Sequence, residues 1–178
     1  MKKGVLLFLF FAGCTRHEVR ENQAEYFNLV HFIHQEATRL DSLGIPVHKT
    51  VVMNGESEEK TLKIRNWRQE LAPFREADIN KKAYLGSYRT DTTFSASSFS
   101  VHYTALDSSL PTRTLTVHFD SVNPVRVSAL IRTSNVLYTL YQQLNYVRDQ
   151  GYSVQGRQQI KFMEPDSFRI QVDFLKPY

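Results

Sequence analysis

The chain has 178 residues, of which 42% are hydrophobic and 22% charged, and a formal net charge of +4. This ordinary globular composition excludes a collagen-like rod, a coiled coil and a disordered tail, and the length suits one domain. The charge is too small to predict a nucleic-acid partner. Because Cys14 is the single cysteine, an intrachain disulfide and a cysteine-based zinc site are excluded.

The first fourteen residues have the organisation of a secretory signal. Lys2 and Lys3 give a short positive start, and residues 5–11 are all apolar. A bilayer-spanning helix needs about 20 apolar residues, so this run predicts a cleaved signal and not a transmembrane anchor. The small residues Ala12 and Gly13 then lead directly to Cys14.

The segment Phe11-Ala12-Gly13-Cys14 resembles the lipobox of bacterial lipoproteins, which prefers Leu where this chain has Phe11. The resemblance implies cleavage before Cys14, a diacylglycerol on its thiol and acylation of the new amino terminus. Two or more acyl chains hold a protein firmly on a membrane. Thr15 stands where an Asp would imply retention at the inner membrane, and no acidic run follows. The resemblance therefore implies an outer-membrane lipoprotein that faces the periplasm.

The resemblance divides the chain into three predicted parts. Residues 1–13 are a signal peptide, residues 14–20 a tether, and residues 21–178 a single domain. Removal of Lys2 and Lys3 leaves 22 − 2 = 20 basic residues against 18 acidic ones, a net charge of +2. The precursor is therefore more basic than the predicted mature chain.

Two amphipathic helices are predicted in the first half of the domain. Residues 18–43 form the first, because apolar residues recur at spacings of three and four until Gly44. A strand at residues 47–53 and an Asn54-Gly55 turn follow. The second helix is predicted from a Ser57 cap to Phe74. Pro73 should kink or end it, and could open a further short helix through about Ile79. The apolar residues of the first helix are Tyr26, Val30, Ile33, Ala37 and Leu40.

From Gly86 onward the apolar pattern has a period of two, which predicts strands. Residues 135–147 fit both a helix and a strand, and their aromatic and β-branched content favours the strand. The order of elements predicts an α+β fold, with N-terminal amphipathic helices packed on one face of a C-terminal antiparallel β-meander. The other predicted strands cover residues 99–105, 115–119, 125–131, 152–162 and 168–174.

The polar parity of these strands carries the first candidate site. His102 and His118 would face the same side of the sheet if their strands pair, and they could form a pH-sensitive or metal-binding pair. Asp120 and Asp173 share that parity and could join them. The alternative is a solvated polar face that carries histidine without a site.

Other candidates are weaker patterns on helices and strands. His31 and His34 are three residues apart on the first helix, with Glu36 nearby, but a third ligand and a His-Glu-x-x-His motif are missing. Trp67 could line a pocket with Tyr84 and Tyr88, although packing explains the same spacing. A basic sheet face could meet acidic lipids, glycans or a protein partner. Its candidate residues are Arg126, Arg132, Arg157, Lys161 and Arg169.

The sequence carries no recognisable catalytic motif and implies no cofactor or metal. It therefore predicts a lipid-anchored cell-envelope protein with a non-catalytic binding or structural role, contacting an envelope protein or a hydrophobic ligand. One alternative is a periplasmic carrier that holds lipid between helices and sheet near Trp67 and Leu71, by analogy with the lipoprotein-localisation factors. Another is an envelope enzyme that uses the polar sheet face.

Overall fold

A computed structural model describes residues 25–175 of the chain. Helix α1 spans Leu29–Leu43. Its N-cap is Asn28, whose side chain accepts a hydrogen bond from the His31 backbone N–H at 3.0 Å. It ends at Gly44, whose φ of 54° lies in the left-handed region that glycine tolerates.

The end of the first predicted helix is thus confirmed, and its start is wrong where the structure describes it. Residues 25–28 precede the helix, because the Asn28 amide caps the first turn. Tyr26 is nevertheless buried, as the apolar pattern predicts, and Val30 is exposed. Residues 18–24 of the predicted helix lie outside the described residues, as do the predicted signal peptide and tether.

A β-hairpin replaces the first part of the predicted second helix. Strand β1 (Pro46–Met53) is confirmed, and Glu56–Lys63 forms strand β2, antiparallel to it. Asn54 and Gly55 have φ values of 49° and 93°, as a two-residue hairpin turn of type I′ requires. The prediction of a helix beginning at Ser57 is wrong because this turn places the following residues in register with β1.

Two short helices follow the hairpin. Helix α2 (Trp67–Glu70) begins at Asn66, whose side chain accepts from the Gln69 backbone N–H at 3.0 Å. Helix α3 (Ala72–Glu76) has Pro73 in its first turn, where the missing N–H costs nothing. The prediction that this proline opens a short helix is confirmed, with the helix ending at Glu76.

The remaining strands form a continuous antiparallel meander. The structure confirms residues 135–147 as strand over most of their length. It adds β3, an exposed edge strand that the apolar pattern does not predict, and it ends β8 before Phe162, which lies in a turn. The strands are β3 (Tyr88–Phe94), β4 (Ser98–Ala105), β5 (Thr112–Asp120), β6 (Asn123–Ser134), β7 (Tyr138–Val147), β8 (Gly151–Ile160) and β9 (Asp166–Phe174).

The nine strands formed by the described residues belong to one open sheet in the order β2-β1-β9-β8-β7-β6-β5-β4-β3. The N-terminal hairpin joins the meander because β1 pairs with β9, with Val51 opposite Ile170. The fold is therefore α+β, with helices preceding an antiparallel sheet that is meander-like from β3 to β9.

The helices cover one face of this sheet, which we call the inner face. Three edge-to-face aromatic pairs join the two layers, with ring centroids 5.5 to 5.9 Å apart. The pairs are Phe32–Tyr146, Phe74–Tyr152 and Trp67–Phe174. Since successive strand residues alternate in direction, the neighbours of these strand residues point to the opposite, outer face.

Within residues 25–175, none of the helices is long and apolar enough to cross a membrane.

Candidate functional site

The outer face of the sheet carries mostly polar side chains. One register row crosses five strands and consists only of uncharged polar residues. A sheet covered by helices on one side exposes the other side to solvent, which explains the polar parity. The row consists of Thr116, Ser128, Asn145, Ser153 and Gln171.

A groove of about 490 Å³ opens on this face above β6, β7, β8 and β9. Tyr141 lies opposite Arg157 across the β7–β8 pair, and Gln155 lies opposite Arg169 across the β8–β9 pair. The Gln155 side-chain amide donates to the Gln143 carbonyl at 2.8 Å. The groove lining thus brings two guanidinium groups together with glutamine amides and the Tyr141 ring.

Gly156 allows an aromatic ring to pack directly on the backbone of β8. A Cβ atom on this residue would lie 2.7 Å from the Phe168 ring and 2.8 Å from the Tyr141 carbonyl oxygen. Glycine therefore permits a close approach of Phe168 to the backbone of β8. The packing between β8 and β9 therefore accounts for this glycine.

The groove is positively charged. None of the described residues that line it has a carboxylate, whereas Arg157 and Arg169 both line it. The Arg132 guanidinium adds a third charge, 5.3 Å from the centroid of the Tyr141 ring, as a cation–π contact. Within residues 25–175, none of these three arginines has a carboxylate within 4.0 Å. The same is true of Arg126.

Four of the five predicted basic residues therefore share the outer face, and three of them are at or beside the groove. Arg126 lies opposite His118 on the β5–β6 pair, away from the groove lining. Lys161 follows the end of β8, and its amine lies 5.2 Å from the Phe162 ring centroid.

His102 and His118 face the same side of neighbouring strands, as the strand parity predicts, but each contacts a hydroxyl. His102 Nδ1 is 3.2 Å from Thr116 Oγ1, and His118 Nδ1 is 2.8 Å from Ser100 Oγ. Asp173 is on β9, which three strands separate from β5, so it does not join them. The described part of the chain contains no group of three His, Cys, Asp or Glu side chains that could hold a metal ion.

The two histidines of α1 are also separated from Glu36. His34 Nδ1 contacts Arg68 Nη2 at 2.9 Å on the exposed side of the helix, and His31 is exposed. Glu36 points into the core, where it is 3% exposed. Helical geometry places residues 34 and 36 about 200° apart around the axis, which explains the separation.

Trp67 is a packing residue. It is 1% exposed, and its ring meets Phe174 edge to face at 5.5 Å. Tyr88 is on β3, at one edge of the sheet, where its hydroxyl donates to the Thr112 carbonyl. The predicted pocket of Trp67 with Tyr84 and Tyr88 is therefore wrong, because β9 and β3 are six positions apart in the sheet.

The core contains a buried carboxylate network that the sequence pattern does not predict. Glu36 accepts from the Tyr146 hydroxyl at 2.6 Å and pairs with Arg39 at 2.7 Å. Burial and the Glu36 charge raise the pKa of Tyr146, so the phenol remains the donor. Arg148 lies 3.6 Å from the same carboxylate. The signal in the sequence is a glutamate in the apolar stripe of α1, three residues after Ile33.

A second cluster, around the partly buried carboxylate of Glu70, joins α2 to the sheet. Glu70 accepts hydrogen bonds from the Tyr152 hydroxyl and from the Lys49 amine, the latter at 2.6 Å. Burial and the hydrogen bond to Glu70 raise the pKa of Tyr152. These three residues come from β1, α2 and β8, so they have no common sequence motif.

A groove of about 580 Å³ opens beside this cluster, between the short helices and the inner face. Its lining includes apolar side chains, namely Leu62, Ile64, Pro73, Val154 and Ile170, as well as Lys49 and Glu70. The carrier hypothesis expects a cavity at Trp67 and Leu71, where both side chains are instead fully packed. The open space lies at the margin of the helix layer.

No protein-family model matches the chain, and neither the curated proteins nor the solved structures contain a match.

Proposed function

We propose that this chain is a lipid-anchored protein of the bacterial cell envelope that binds an anionic glycan. The anchor is Cys14, after removal of residues 1–13, and the domain faces the periplasm from the outer membrane. The binding site is the outer-face groove, and its role is non-catalytic. The observation that carries the proposal is the groove lining, in which Arg157 and Arg169 lie beside Tyr141 and no carboxylate is present.

The chemistry of the lining supports this ligand class. Guanidinium groups match the geometry of carboxylate and phosphate groups and can bind them through two hydrogen bonds. The Gln143 and Gln155 amides offer donors and acceptors for sugar hydroxyls. The Tyr141 side chain is 46% exposed and provides an aromatic surface in the same groove.

Substitution of Arg157 tests the groove. We expect Arg157→Gln to weaken binding of a phosphate- or carboxylate-bearing oligosaccharide about tenfold, because a hydrogen bond to a charged group contributes about 1.5 kcal/mol. Isothermal titration calorimetry of the full chain in detergent measures the dissociation constant. The ligands are oligosaccharides of matched length that carry phosphate, carboxylate or no charge.

The matched control is Arg126→Gln, which removes the same charge from the same face outside the groove lining. Equal weakening by both variants would contradict a specific site and would indicate attraction to net charge alone. Equal binding of the uncharged oligosaccharide would contradict an anionic ligand.

Substitution of Cys14 tests the anchor. Wild-type protein should incorporate radiolabelled palmitate and partition with membranes, whereas Cys14→Ala should lose the label and remain a precursor, because the thiol that accepts the diacylglycerol is missing. Gel electrophoresis with autoradiography measures both results. The control is Thr15→Ala, which leaves the cysteine in place. Unchanged labelling of Cys14→Ala would refute the lipoprotein proposal.

The inner groove favours a second candidate function, a carrier of an acyl chain. Leu62, Val154 and Ile170 line it, and burial of an acyl chain contributes about 0.8 kcal/mol for each CH₂. A carrier would bind a fluorescent fatty acid equally well in the wild type and in Arg157→Gln, since Arg157 is on the opposite face. Failure of the fatty acid to bind would exclude this candidate.

A further inference from the structure

One end of the sheet carries a concentration of exposed apolar side chains. The β6–β7 turn presents Val136 and Leu137, which are 88% and 69% exposed. The adjacent β8–β9 turn presents Phe162 and Met163, which are 95% and 59% exposed. We call these four residues the apolar tip. Large side chains grouped in this way indicate an interaction surface rather than the scattered exposure of an ordinary protein surface.

The two turns of the apolar tip are tied to each other and internally. The Lys161 backbone N–H donates to the Leu137 carbonyl at 2.9 Å, which joins the turns. The Asn135 side chain accepts from the Leu137 N–H at 2.8 Å, and the Gln159 amide donates to the Met163 carbonyl at 2.9 Å. The apolar side chains are therefore presented on defined backbone.

Phe162 has a φ of 68°, in the left-handed region that bulky side chains rarely adopt. Such a conformation costs free energy and persists only where the surrounding structure holds it in place. The turn here keeps the phenylalanine ring almost fully in solvent, although a glycine or asparagine would fit this backbone better.

The charged groups around the tip suit a membrane surface. The Lys161 amine lies above the Phe162 ring, and Arg132 and Arg157 flank Tyr141 on the outer face near the same end. Lysine, arginine and tyrosine can keep their polar ends at lipid headgroups while their apolar parts pack lower. The β8–β9 connection also carries the acidic residue Glu164, which offsets the charge of Lys161. Burial of the apolar side chains, and not net charge, is therefore the main source of the proposed membrane binding.

The beginning of the described chain lies at this same end of the sheet. The Glu25 carboxylate accepts from the Gly86 backbone N–H at 3.0 Å, and Gly86 precedes the start of β3. In this antiparallel order the start of β3, the end of β6 and the end of β8 share one end. The eleven residue steps from Cys14 to Glu25 span at most about 40 Å. If Cys14 carries the proposed lipid anchor, this length keeps the tip end of the sheet near the membrane; the inference rests on that anchor.

We propose that the apolar tip inserts into the headgroup–acyl boundary of a lipid bilayer. The insertion gives the domain a second membrane contact besides Cys14 and fixes its orientation, with the sheet standing on its β6–β7 and β8–β9 turns. Both grooves then open sideways, since they lie on the two faces of the sheet.

Tryptophan fluorescence in vesicles tests this insertion. The full chain, purified from membranes, is reconstituted in phosphatidylethanolamine and phosphatidylglycerol vesicles that contain doxyl-labelled lipid. Phe162→Trp and Leu137→Trp should each show emission at shorter wavelength and lose most of the new emission to the quencher. The native Trp67 is buried and provides a constant background.

The matched control is Phe94→Trp, at a side chain 78% exposed at the end of β3 opposite the tip. It should keep its emission in the presence of doxyl lipid. Equal emission from positions 94, 137 and 162 would overturn the proposal. A blue shift at 162 that requires high protein concentration and no lipid would also overturn it, because the tip would then bind a second copy.

Palmitate labelling of the same samples separates this proposal from the anchor. Quenching at 162 without palmitate would support the apolar tip and refute the anchor. Palmitate without quenching at 137 or 162 would refute the apolar tip and leave the anchor intact.

Discussion

Replacement of Trp67 by alanine is expected to lower the free energy of unfolding by about 4 kcal/mol, because it empties a large site in the core. The indole is 1% exposed and packs edge to face on Phe174. It also begins α2, so the site joins the helix layer to β9. Urea denaturation followed by far-ultraviolet circular dichroism measures the loss.

Two further variants make this result specific. Trp67→Phe retains an aromatic ring and should lose less than Trp67→Ala. Phe94→Ala removes a ring that is 78% exposed and should change the free energy of unfolding by less than about 0.5 kcal/mol. A small decrease in the free energy of unfolding of Trp67→Ala would contradict a packing role for Trp67 and would favour a role in ligand binding.

The second large effect is expected at Glu36. Glu36→Ala should cost about 3 kcal/mol of folding free energy, since it leaves the buried Tyr146 hydroxyl without its acceptor and removes the more buried of the two carboxylate partners of Arg39. Tyr146→Phe should cost about 1 kcal/mol, the usual net value of one hydrogen bond. Urea denaturation at constant pH and salt compares the two.

The control for Glu36 is Gln35→Ala, an exposed position on the same helix. It should leave the free energy of unfolding nearly unchanged, because alanine is a good helix former. If Glu36→Ala and Gln35→Ala had equal stability, the carboxylate network would contribute nothing to folding. Glu36→Gln retains an acceptor oxygen for Tyr146 and should fall between the alanine variant and the wild type.

Much of the sheet could be predicted from the sequence because strand periodicity is a local property. Residues 99–105 and 125–131 alternate apolar and polar side chains, and both form strands with the apolar side on the core. Residues 135–147 fit both a helix and a strand by periodicity, and their β-branched and aromatic content correctly favours the strand. The Asn54-Gly55 turn was also predicted correctly, since both positions need a left-handed backbone.

The second helix could not be predicted correctly, because Glu56–Lys63 has almost no apolar pattern. Every residue of this strand except Leu62 is exposed, so local burial gives no period to recognise. The strand is held by its ladder with β1, a partner that is apparent only after the turn is formed. Edge strand β3 was missed for the same reason.

For the candidate sites, too, the sequence predicts which face a residue lies on but not which residues it contacts. The polar parity correctly placed His102 and His118 on one face, but only the pairing of β4 with β5 shows that they contact Thr116 and Ser100. The sequence pattern also indicates that the basic residues of β6, β8 and β9 could form one basic face of the sheet. Their convergence on Tyr141 depends on the order of the strands.

The sequence by itself therefore determined the α+β order, the faces of most strands and the turn between β1 and β2. These features depend on side-chain alternation and on backbone preferences within a few residues. Only the tertiary structure decided that β1 lies beside β9, that Glu36 meets Tyr146 and that two apolar turns form one tip. Such contacts join residues far apart in the chain, and their free energy exists only once the register of the whole sheet is set.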